Sequence, residues 1–405
     1  MTVSKSFQWN ERYVLAATVG AITSCFSAYA LSDNGVMDTL QVHGFLSQAL
    51  VITDENNFFG QSSKDNGSLE FTEIGLNASL RPHQDVLLAV QALSRNTGDN
   101  LADATPKLDY GLIDYQIISN QQRTSGIQLG RFKNPFGFYN QTRDVAFTRP
   151  SILLPQSIYF ERTRSLGLSG DGMSLYHEER VPNGIVRTQI GVGRARMEDD
   201  VEQTLGLDQF PGSLDAGSSV IGQVRYEHDG GRFVTAISAA NANADYSSTS
   251  DAPGDGSFRF RPWVLSFQYN QEHWTLTTEY AIRTLELTGF DSFPDSSRTG
   301  ESWYVQFTRR LDSQWQWLVR YDSLINNRDD RSGRTFAAEG KGPAHSQYSD
   351  DLTFGLQWTP HPQIMVAGEY HYIDGTGWLP NRDNIDSTQI SQRWNMFLFQ
   401  LSLRF

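Results

Sequence analysis

Apolar and polar residues alternate along much of this chain in stretches of about ten residues, and a period of two is typical of β-strands. In one such stretch Trp274, Leu276 and Tyr280 share a face, while Thr277 and Glu279 lie on the other. The pattern predicts an all-β chain of sixteen strands, at residues 39–52, 68–81, 85–96, 107–119, 124–133, 166–179, 184–196, 218–228, 232–244, 258–270, 274–287, 301–310, 315–324, 351–359, 364–373 and 392–405. Strands of this length fit tilted strands that cross a membrane.

The connections between the predicted strands alternate between short and long. The short ones are rich in Pro, Gly, Asn or Asp and lie at 82–84, 120–123, 180–183, 227–231, 270–273, 311–314 and 360–363. The long ones lie at 53–67, 97–106, 134–165, 197–217, 245–257, 288–300, 325–350 and 374–391. This alternation predicts a transmembrane antiparallel β-barrel with tight turns at one end and long loops at the other. We expect its apolar side chains to face lipid and its polar ones to surround water.

The composition favours many strands and turns over membrane helices. Aromatic residues make up 12% of the 405 residues, and there are 34 glycines. Beyond the N-terminus no apolar run approaches the roughly 20 residues that a membrane helix needs. Without residues 1–30 the chain keeps 31 basic and 45 acidic residues, a net charge of −14, and this acidic excess argues against a nucleic-acid partner.

The first 30 residues have the layout of a secretory signal peptide. Lys5 and Arg12 supply the positive region, residues 14–22 the apolar region, and residues 28–30 a small-x-small cleavage site. The mature chain would begin at Leu31.

The single cysteine, Cys25, lies inside this predicted signal. Residues 22–25 loosely resemble a lipoprotein cleavage box, so a lipid-anchored protein is one alternative, and a short buried helix at the N-terminus is another. Without Cys25 the mature chain would have no disulfide.

The longest connection, residues 134–165, is neither polar enough nor low enough in complexity to be a flexible linker. Residues 131–164 hold two acids against six cations, a net charge of +4, and the cations are Arg131, Lys133, Arg143, Arg149, Arg162 and Arg164. We expect the segment to fold inward and narrow the pore, because sixteen strands enclose a space too wide for wall side chains to fill. Its charge would then favour anions. Alternatively, Arg143 or Arg162 ties it to the wall through a carboxylate.

Alternation also places charged side chains of the strands on the inner face. We expect these lumen-wall residues to include Arg81, Arg187, Arg225, Arg283, Arg310, Arg320, Glu73, Asp114, Glu279, Asp322 and Glu369. The alternative is that many of them pair across strands as salt bridges and only keep the interior wet.

The last predicted strand alternates through Phe397, Phe399, Leu401 and Leu403 and ends on Phe405. Such an ending resembles the assembly signal of Gram-negative outer-membrane barrels. Over residues 31–405 the chain resembles the sixteen-stranded general and anion-selective porins, whose third loop folds inward after the fifth strand. Residues 130–137 are similar to the strand-to-loop junction of the phosphate-selective type, although the acidic balance departs from that type. The resemblance implies a homotrimer in the outer membrane, in contact with lipid and lipopolysaccharide.

The function expected from this resemblance is passive diffusion of small hydrophilic solutes, with a leaning toward anions. An alternative is a substrate-selective channel for organic acids or oligosaccharides that slide along Phe136, Phe138 and Tyr139. An outer-membrane hydrolase is a third class, but the chain has no His-Glu-x-x-His, phosphate-binding Gly-Lys-Ser/Thr or Gly-x-Ser-x-Gly motif. We therefore expect no enzyme, no cofactor and no metal. Glu369 and His371 share a strand face, but two ligands without a third do not make a metal site.

Overall fold

The computed structural model of the chain describes residues 35–98, 104–250, 252–380, 382–384, 386 and 389–405. The predicted signal peptide at 1–30 and Cys25 lie outside these residues. The strands are β1 Gln41–Thr53, β2 Ser68–His83, β3 Val86–Thr97, β4 Lys107–Ser119, β5 Arg123–Lys133, β6 Ser169–Val181, β7 Gly184–Ala195, β8 Gly212–Ala216, β9 Ser218–His228, β10 Phe233–Ser248, β11 Gly256–Asn270, β12 Trp274–Thr288, β13 Ser296–Arg310, β14 Trp315–Ile325, β15 Tyr348–His361, β16 Ile364–Gly375 and β17 Arg393–Arg404.

Helices in the described residues are short and lie in the connections. The α-helices are α1 Arg164–Leu168, α2 Asp199–Leu205 and α3 Arg334–Ala338, and the 3₁₀ turns are Met37–Thr39, Ala146–Thr148, Asp229–Gly231, Arg328–Asp330 and Ala344–Gln347. Among the residues described, none of the helices has the length and apolar character needed to span a bilayer.

The strands form one closed antiparallel sheet. Apart from the short β8, each strand pairs with the next one along the chain, and β17 returns to β1 with Phe45 opposite Arg404 and Thr53 opposite Met396. The short strand β8 and the longer β9 pair with successive parts of β10, so the seventeen segments occupy sixteen positions around the barrel. The predicted sixteen-strand barrel is confirmed, and most strand ends fall within three residues of prediction. β8 was not predicted because residues 212–216 belong to a long connection in the sequence pattern.

The two faces of the sheet differ in the way the alternation predicts. Large apolar side chains on the outer face are exposed, for example Trp263 at 56%, Leu265 at 59% and Phe399 at 54%. Polar side chains on the inner face are buried, as Ser266 and Thr277 illustrate. This distribution is inverted relative to a soluble barrel, which buries its apolar face.

Aromatic side chains form a belt on the outer face, near the end of the barrel that carries the short turns. Ring contacts run from Phe233 to Tyr269, Trp274, Phe307 and Trp317 across strands β10 to β14, with centroid distances of 4.8 to 5.7 Å. Trp315 and Trp358 extend the belt to β15 by stacking at 5.6 Å. Aromatic belts of this kind mark the boundary between hydrocarbon and water in membrane barrels.

The C-terminal residue completes the barrel. Phe405 exchanges backbone hydrogen bonds with Gly44 of β1, at 3.0 and 3.2 Å. A β-carbon at Gly44 would lie 2.4 Å from the Phe405 ring, so the absence of a side chain there leaves room for the terminal aromatic. The last residue therefore packs directly on the first strand.

Candidate functional site: the long segment and the inner face

The long segment, residues 134–165, contacts side chains on strands around the whole sheet. Its partners are Glu73 on β2, Arg95 on β3, Gln223 and Arg225 on β9, Ser238 on β10, Glu279 on β12, Arg320 and Asp322 on β14, Glu369 on β16 and Arg404 on β17. In each case the strand residue lies on the polar inner face. The segment is thus held from both sides of the barrel.

On one side, Glu369 and Arg320 bind the middle of the segment. The Glu369 carboxylate accepts the backbone N–H groups of Ile152 and Leu153, the latter at 3.1 Å. Arg320 donates to the hydroxyl of Ser151 at 3.0 Å and to the carbonyl of Leu153 at 3.1 Å. Together the two side chains form hydrogen bonds with three consecutive residues of the segment, 151–153. They take the place that the backbone of a neighbouring strand has in a β-sheet.

On β12, two strands from Arg320, the Glu279 carboxylate accepts four hydrogen bonds. It accepts the Phe138 N–H at 3.0 Å, the Tyr159 hydroxyl at 2.6 Å, the Tyr304 hydroxyl at 2.9 Å and the Ser266 hydroxyl at 2.6 Å. The first two donors belong to the long segment and the other two to the wall. A buried carboxylate needs this many hydrogen bonds to offset the loss of water.

A continuous ionic network links the segment to β2 and β3. Arg149 of the segment pairs with Glu73 at 2.8 Å, and Glu73 pairs with Arg95 at 3.0 Å. Arg95 reaches Glu161 of the segment at 2.6 Å, and Glu161 also binds Arg143 at 2.9 Å. All five side chains are buried.

The same network continues to β4 and β5. Arg164 bridges Glu161, at 3.2 Å, and Asp144. Asp144 in turn binds Lys133, which reaches Asp109 at 2.6 Å. The network therefore contains five cations (Arg95, Lys133, Arg143, Arg149 and Arg164) and four acids (Glu73, Asp109, Asp144 and Glu161), and its net charge is +1. Residues 131–164 alone count +4, because that range includes Arg131 and Arg162 and lacks Arg95, Glu73 and Asp109.

Two of the six predicted selectivity cations lie outside this network. Arg131 obeys the alternation of β5 and lies on the outer face with exposed Leu129, where it pairs with Asp171 at 2.6 Å. This placement differs from the sequence expectation, because Arg131 is part of β5 and its position in the strand alternation is on the outer face. Arg162 donates to the carbonyl of Gly377 at 3.2 Å and has no carboxylate partner among the described residues.

Neither tie proposed from the sequence forms as expected. Arg143 binds Glu161 of its own segment, and Arg162 binds a backbone carbonyl. The cation that ties the segment to a wall carboxylate is instead Arg149, through Glu73.

All of the predicted lumen-wall residues lie at strand positions whose side chains alternate to the inner face. Arg187 pairs with Glu178 and Glu227 at 2.6 Å, and Arg225 pairs with Glu227 at 3.1 Å. Arg81 and Arg310 lie near the short-turn end, Asp114 binds Tyr176 at 2.7 Å, and Arg283 lies over the Phe160 ring. Cross-strand salt bridges therefore account for Arg187, as the alternative interpretation proposed, whereas Arg225 pairs with a glutamate of its own strand.

Some residues of the site were not found from the sequence. Arg95 lies at a position of β3 that alternates to the inner face. A search of the strands for charged residues at inner-face positions could therefore have found it. Asp109 could not be found that way, because the register shifts between Gln91 and Ala92 and the alternation breaks beside it. Within the described ranges, no group of three or more His, Cys, Asp or Glu side chains is arranged to hold a metal ion.

Asp200 of α2 binds the end of the segment through Ser165. Its carboxylate accepts the Ser165 N–H at 2.9 Å and also the Ser165 hydroxyl. Burial raises the pKa of Asp200 to about 6, above its ordinary value, so the folded state binds this proton more tightly than the unfolded state.

The attachment of α2 to Ser165 should therefore become more stable as pH falls from about 6 toward 4, the range between the two pKa values. Hydrogen exchange of the amides in 196–206, corrected for intrinsic rates, should slow across this range. An Asp200→Asn variant should show no such change. Equal pH dependence in both proteins would contradict the assignment to Asp200.

Comparisons with known proteins agree on the fold. No family model and no curated protein sequence matches the chain. The structure is similar to the anion-selective porin from Comamonas acidovorans, with a TM-score of 0.58, 10% identity, and coverage of 90% of this chain and 99% of that one. It is also similar to Salmonella typhi OmpF in complex with daunomycin (TM-score 0.55, 12% identity, 90% and 97% coverage) and to the outer-membrane channel DcaP of Acinetobacter baumannii (0.53, 12%, 90% and 97%). The chain therefore has the fold of the Gram-negative outer-membrane porins.

Proposed function

We propose that this protein is a porin of a Gram-negative outer membrane in which the long segment crosses the lumen and narrows a water-filled channel. The observation that carries this proposal is the ring of contacts between the segment and strands β2, β3, β9, β10, β12, β14, β16 and β17. A chain that binds the polar face of strands on opposite sides of a closed sheet has to cross the enclosed space. The expected activity is passive diffusion of small hydrophilic solutes.

The ion pairs of the segment reduce the anion preference expected from sequence. Four of the six cations predicted to set selectivity are committed to the network, and Arg131 lies on the outer face. A weak anion preference is therefore the proposal. Planar-bilayer recordings test it: discrete conductance steps that scale linearly with salt support a diffusion pore, and the reversal potential in a salt gradient gives the ion preference. A purified protein that inserts without conductance would contradict the proposal.

The exposed apolar face supports a location in lipid, with lipopolysaccharide around the long-loop end. Replacing Leu265 on the outer face by arginine should cost about 2–4 kcal/mol of unfolding free energy in lipid vesicles, since an exposed apolar site near mid-strand then carries a charge.

The matched control for Leu265→Arg is Gln268→Arg, on the inner face of the same strand, which should cost far less. Urea unfolding in vesicles measures both variants. If the two changes cost the same, or if the mature protein is soluble and monomeric without detergent, the membrane location is wrong.

Two further parts of the proposal concern processing and assembly. Removal of residues 1–30 is proposed from the sequence, and N-terminal sequencing of the mature protein should read from Leu31. A homotrimer is proposed because the fold is that of porins, and one matched structure, Vibrio cholerae OmpT, is described as a trimer form.

The substrate-selective channel remains the second candidate, on one observation. The ring of Phe138 lies 5.5 Å from the Arg225 guanidinium, which gives an aromatic and a cation on the inner face for a solute with both characters. Phe136 and Tyr139, by contrast, pack against Leu154, Ile158 and Tyr159 in an apolar cluster. Saturation of the current by one solute would favour this candidate, while cleavage of labelled lipid or peptide would point to an enzyme.

A further inference from the structure

Amide and hydroxyl side chains form a row across the inner face of strands β5, β6, β7 and β9. Gln128 of β5 is opposite Ser174, and Tyr176 lies two residues further along β6. Tyr176 is opposite Gln189 of β7, which in turn is opposite Gln223 of β9. Because the side chains of direct cross-strand partners lie next to one another, these residues form a continuous polar strip on the wall.

The long segment meets this strip and adds a further amide. Gln141 of the segment donates to the side-chain carbonyl of Gln189 at 3.1 Å, and Gln189 donates to the Ser174 hydroxyl at 2.9 Å. Gln223 donates to the Gly137 carbonyl of the segment at 2.9 Å. The strip therefore lies where the segment and the wall come together. Five side chains are named here the amide row: Gln128, Gln141, Tyr176, Gln189 and Gln223.

The amide row stays accessible to solvent. Gln141 is exposed, and the other four members are half-buried. On β13, β15 and β17, by contrast, the polar inner-face side chains of Gln306, Thr353 and Ser402 are at most 1% exposed. A solute that reaches the segment can therefore touch the amide row but not these covered positions.

Charged side chains next to the amide row neutralise one another. Arg187 pairs with Glu178 and with Glu227, both at 2.6 Å. Arg225 pairs with Glu227 at 3.1 Å. Two cations thus lie with two acids, and the group adds no net charge to this part of the wall.

One more carboxylate touches the amide row, at its β4 end. Asp114 accepts the Gln128 amide at 3.0 Å and the Tyr176 hydroxyl at 2.7 Å. The positive charge of Arg81 acts on the same tyrosine. This part of the wall therefore has no excess of positive charge that would favour anions.

The hydrogen-bonding groups of the amide row match those of a hydroxyl-rich solute. The side-chain carbonyls of Gln128 and Gln141 accept no hydrogen bond from the described part of the chain, since both residues act there as donors. A glutamine amide carries two donors and one acceptor, so donors and acceptors lie side by side along the row. A hydroxyl group also donates and accepts, and a solute with several adjacent hydroxyls fits such an arrangement.

We propose that the amide row is a binding site for neutral saccharides on their way past the long segment. The row extends about 14 Å from β5 to β9, given the spacing of neighbouring strands. Because the strands of such barrels tilt by about 35–45°, the row is inclined to the barrel axis, and a solute moves along it from one amide to the next. Its role in transport rests on the proposed porin function, whereas binding itself does not require conduction.

The test compares equilibrium binding of glucose and of glucuronate. Titrations followed by saturation-transfer NMR, on the protein in a detergent without sugar head groups, measure both dissociation constants. The two solutes share one ring, and glucuronate differs by a carboxylate. We expect glucose to bind at least as tightly as glucuronate, because the row recognises hydroxyl groups and has no excess of positive charge.

Two variants remove one amide each from accessible positions of the row. Gln128→Leu and Gln141→Leu should each weaken glucose binding about two- to tenfold, the effect of one neutral hydrogen bond. The double variant should weaken it further. Gln268→Leu is the matched control, because Gln268 is an inner-face amide of β11 outside the row. It should bind glucose as the wild type does.

The binding result decides the site, and bilayer recordings decide the channel independently. Weaker glucose binding in both row variants, with unchanged binding in Gln268→Leu, supports the site whether or not the protein conducts. The site is overturned if the wild type does not bind glucose, if all variants bind it equally well, or if glucuronate binds much more tightly than glucose. Each of these results would overturn it even in a protein that forms a conducting pore.

Discussion

Replacing Glu73 by glutamine is expected to release one side of the long segment and to destabilise the barrel by about 3–5 kcal/mol. Glu73 is fully buried between Arg95 and Arg149, and each forms an ion pair with a separate carboxylate oxygen. An amide cannot neutralise the two guanidinium groups, so both would be left buried with too little negative charge. The unfolding midpoint in urea should fall, and single-channel current should become larger and noisier as the segment moves.

Asp114→Asn is the matched control for this change. Asp114 is another carboxylate of the inner face, but it binds Gln128 and Tyr176 of the wall and does not contact the segment. Its loss should leave conductance and noise close to those of the wild type. If Glu73→Gln and Asp114→Asn behaved alike in both measurements, the network would not be what holds the segment.

Glu279→Ala is expected to have the second largest effect, a loss of about 3 kcal/mol. Removal of this carboxylate leaves the Phe138 N–H and the hydroxyls of Tyr159, Tyr304 and Ser266 without their acceptor. Because two of these donors are on the segment and two on the wall, the turn around Phe138 should come away from β12. Urea unfolding measures the stability, and current noise reports the movement of the turn.

Glu279→Gln provides the graded comparison. The amide keeps the shape of the side chain and one acceptor oxygen, so about half of the lost stability should return. A hydroxyl can also accept a hydrogen bond from the new amide. If Ala and Gln at position 279 were both as stable as the wild type, the four hydrogen bonds would contribute nothing measurable.

The strands and their faces could be predicted from sequence because both depend on local alternation. The period-two pattern in β12 assigns Glu279 and Arg283 to one face and Tyr280 to the other, and the structure has the same assignment. The barrel follows because each strand pairs with the next. The features of the sheet that were not predicted from sequence are local irregularities, such as the register shift beside Asp109.

The partners of each inner-face charge could not be predicted, because they are set by distant parts of the chain. Arg149 meets Glu73 across 76 positions, and Leu153 meets Glu369 across 216. Charge counting treated the cations of the segment as free, whereas burial requires them to be paired. The exception is Arg162, and nothing in its sequence neighbourhood distinguishes it from Arg143 or Arg149.

The pairing of Phe405 with Gly44 imposes an order of events on the biogenesis of this molecule. One edge of β1 has no neighbour until the last strand, Arg393–Arg404, is available. An incomplete polypeptide on the ribosome therefore lacks the element that removes the exposed edge, and such edges promote aggregation. The last strand, β17, therefore has to be in place before the barrel can close.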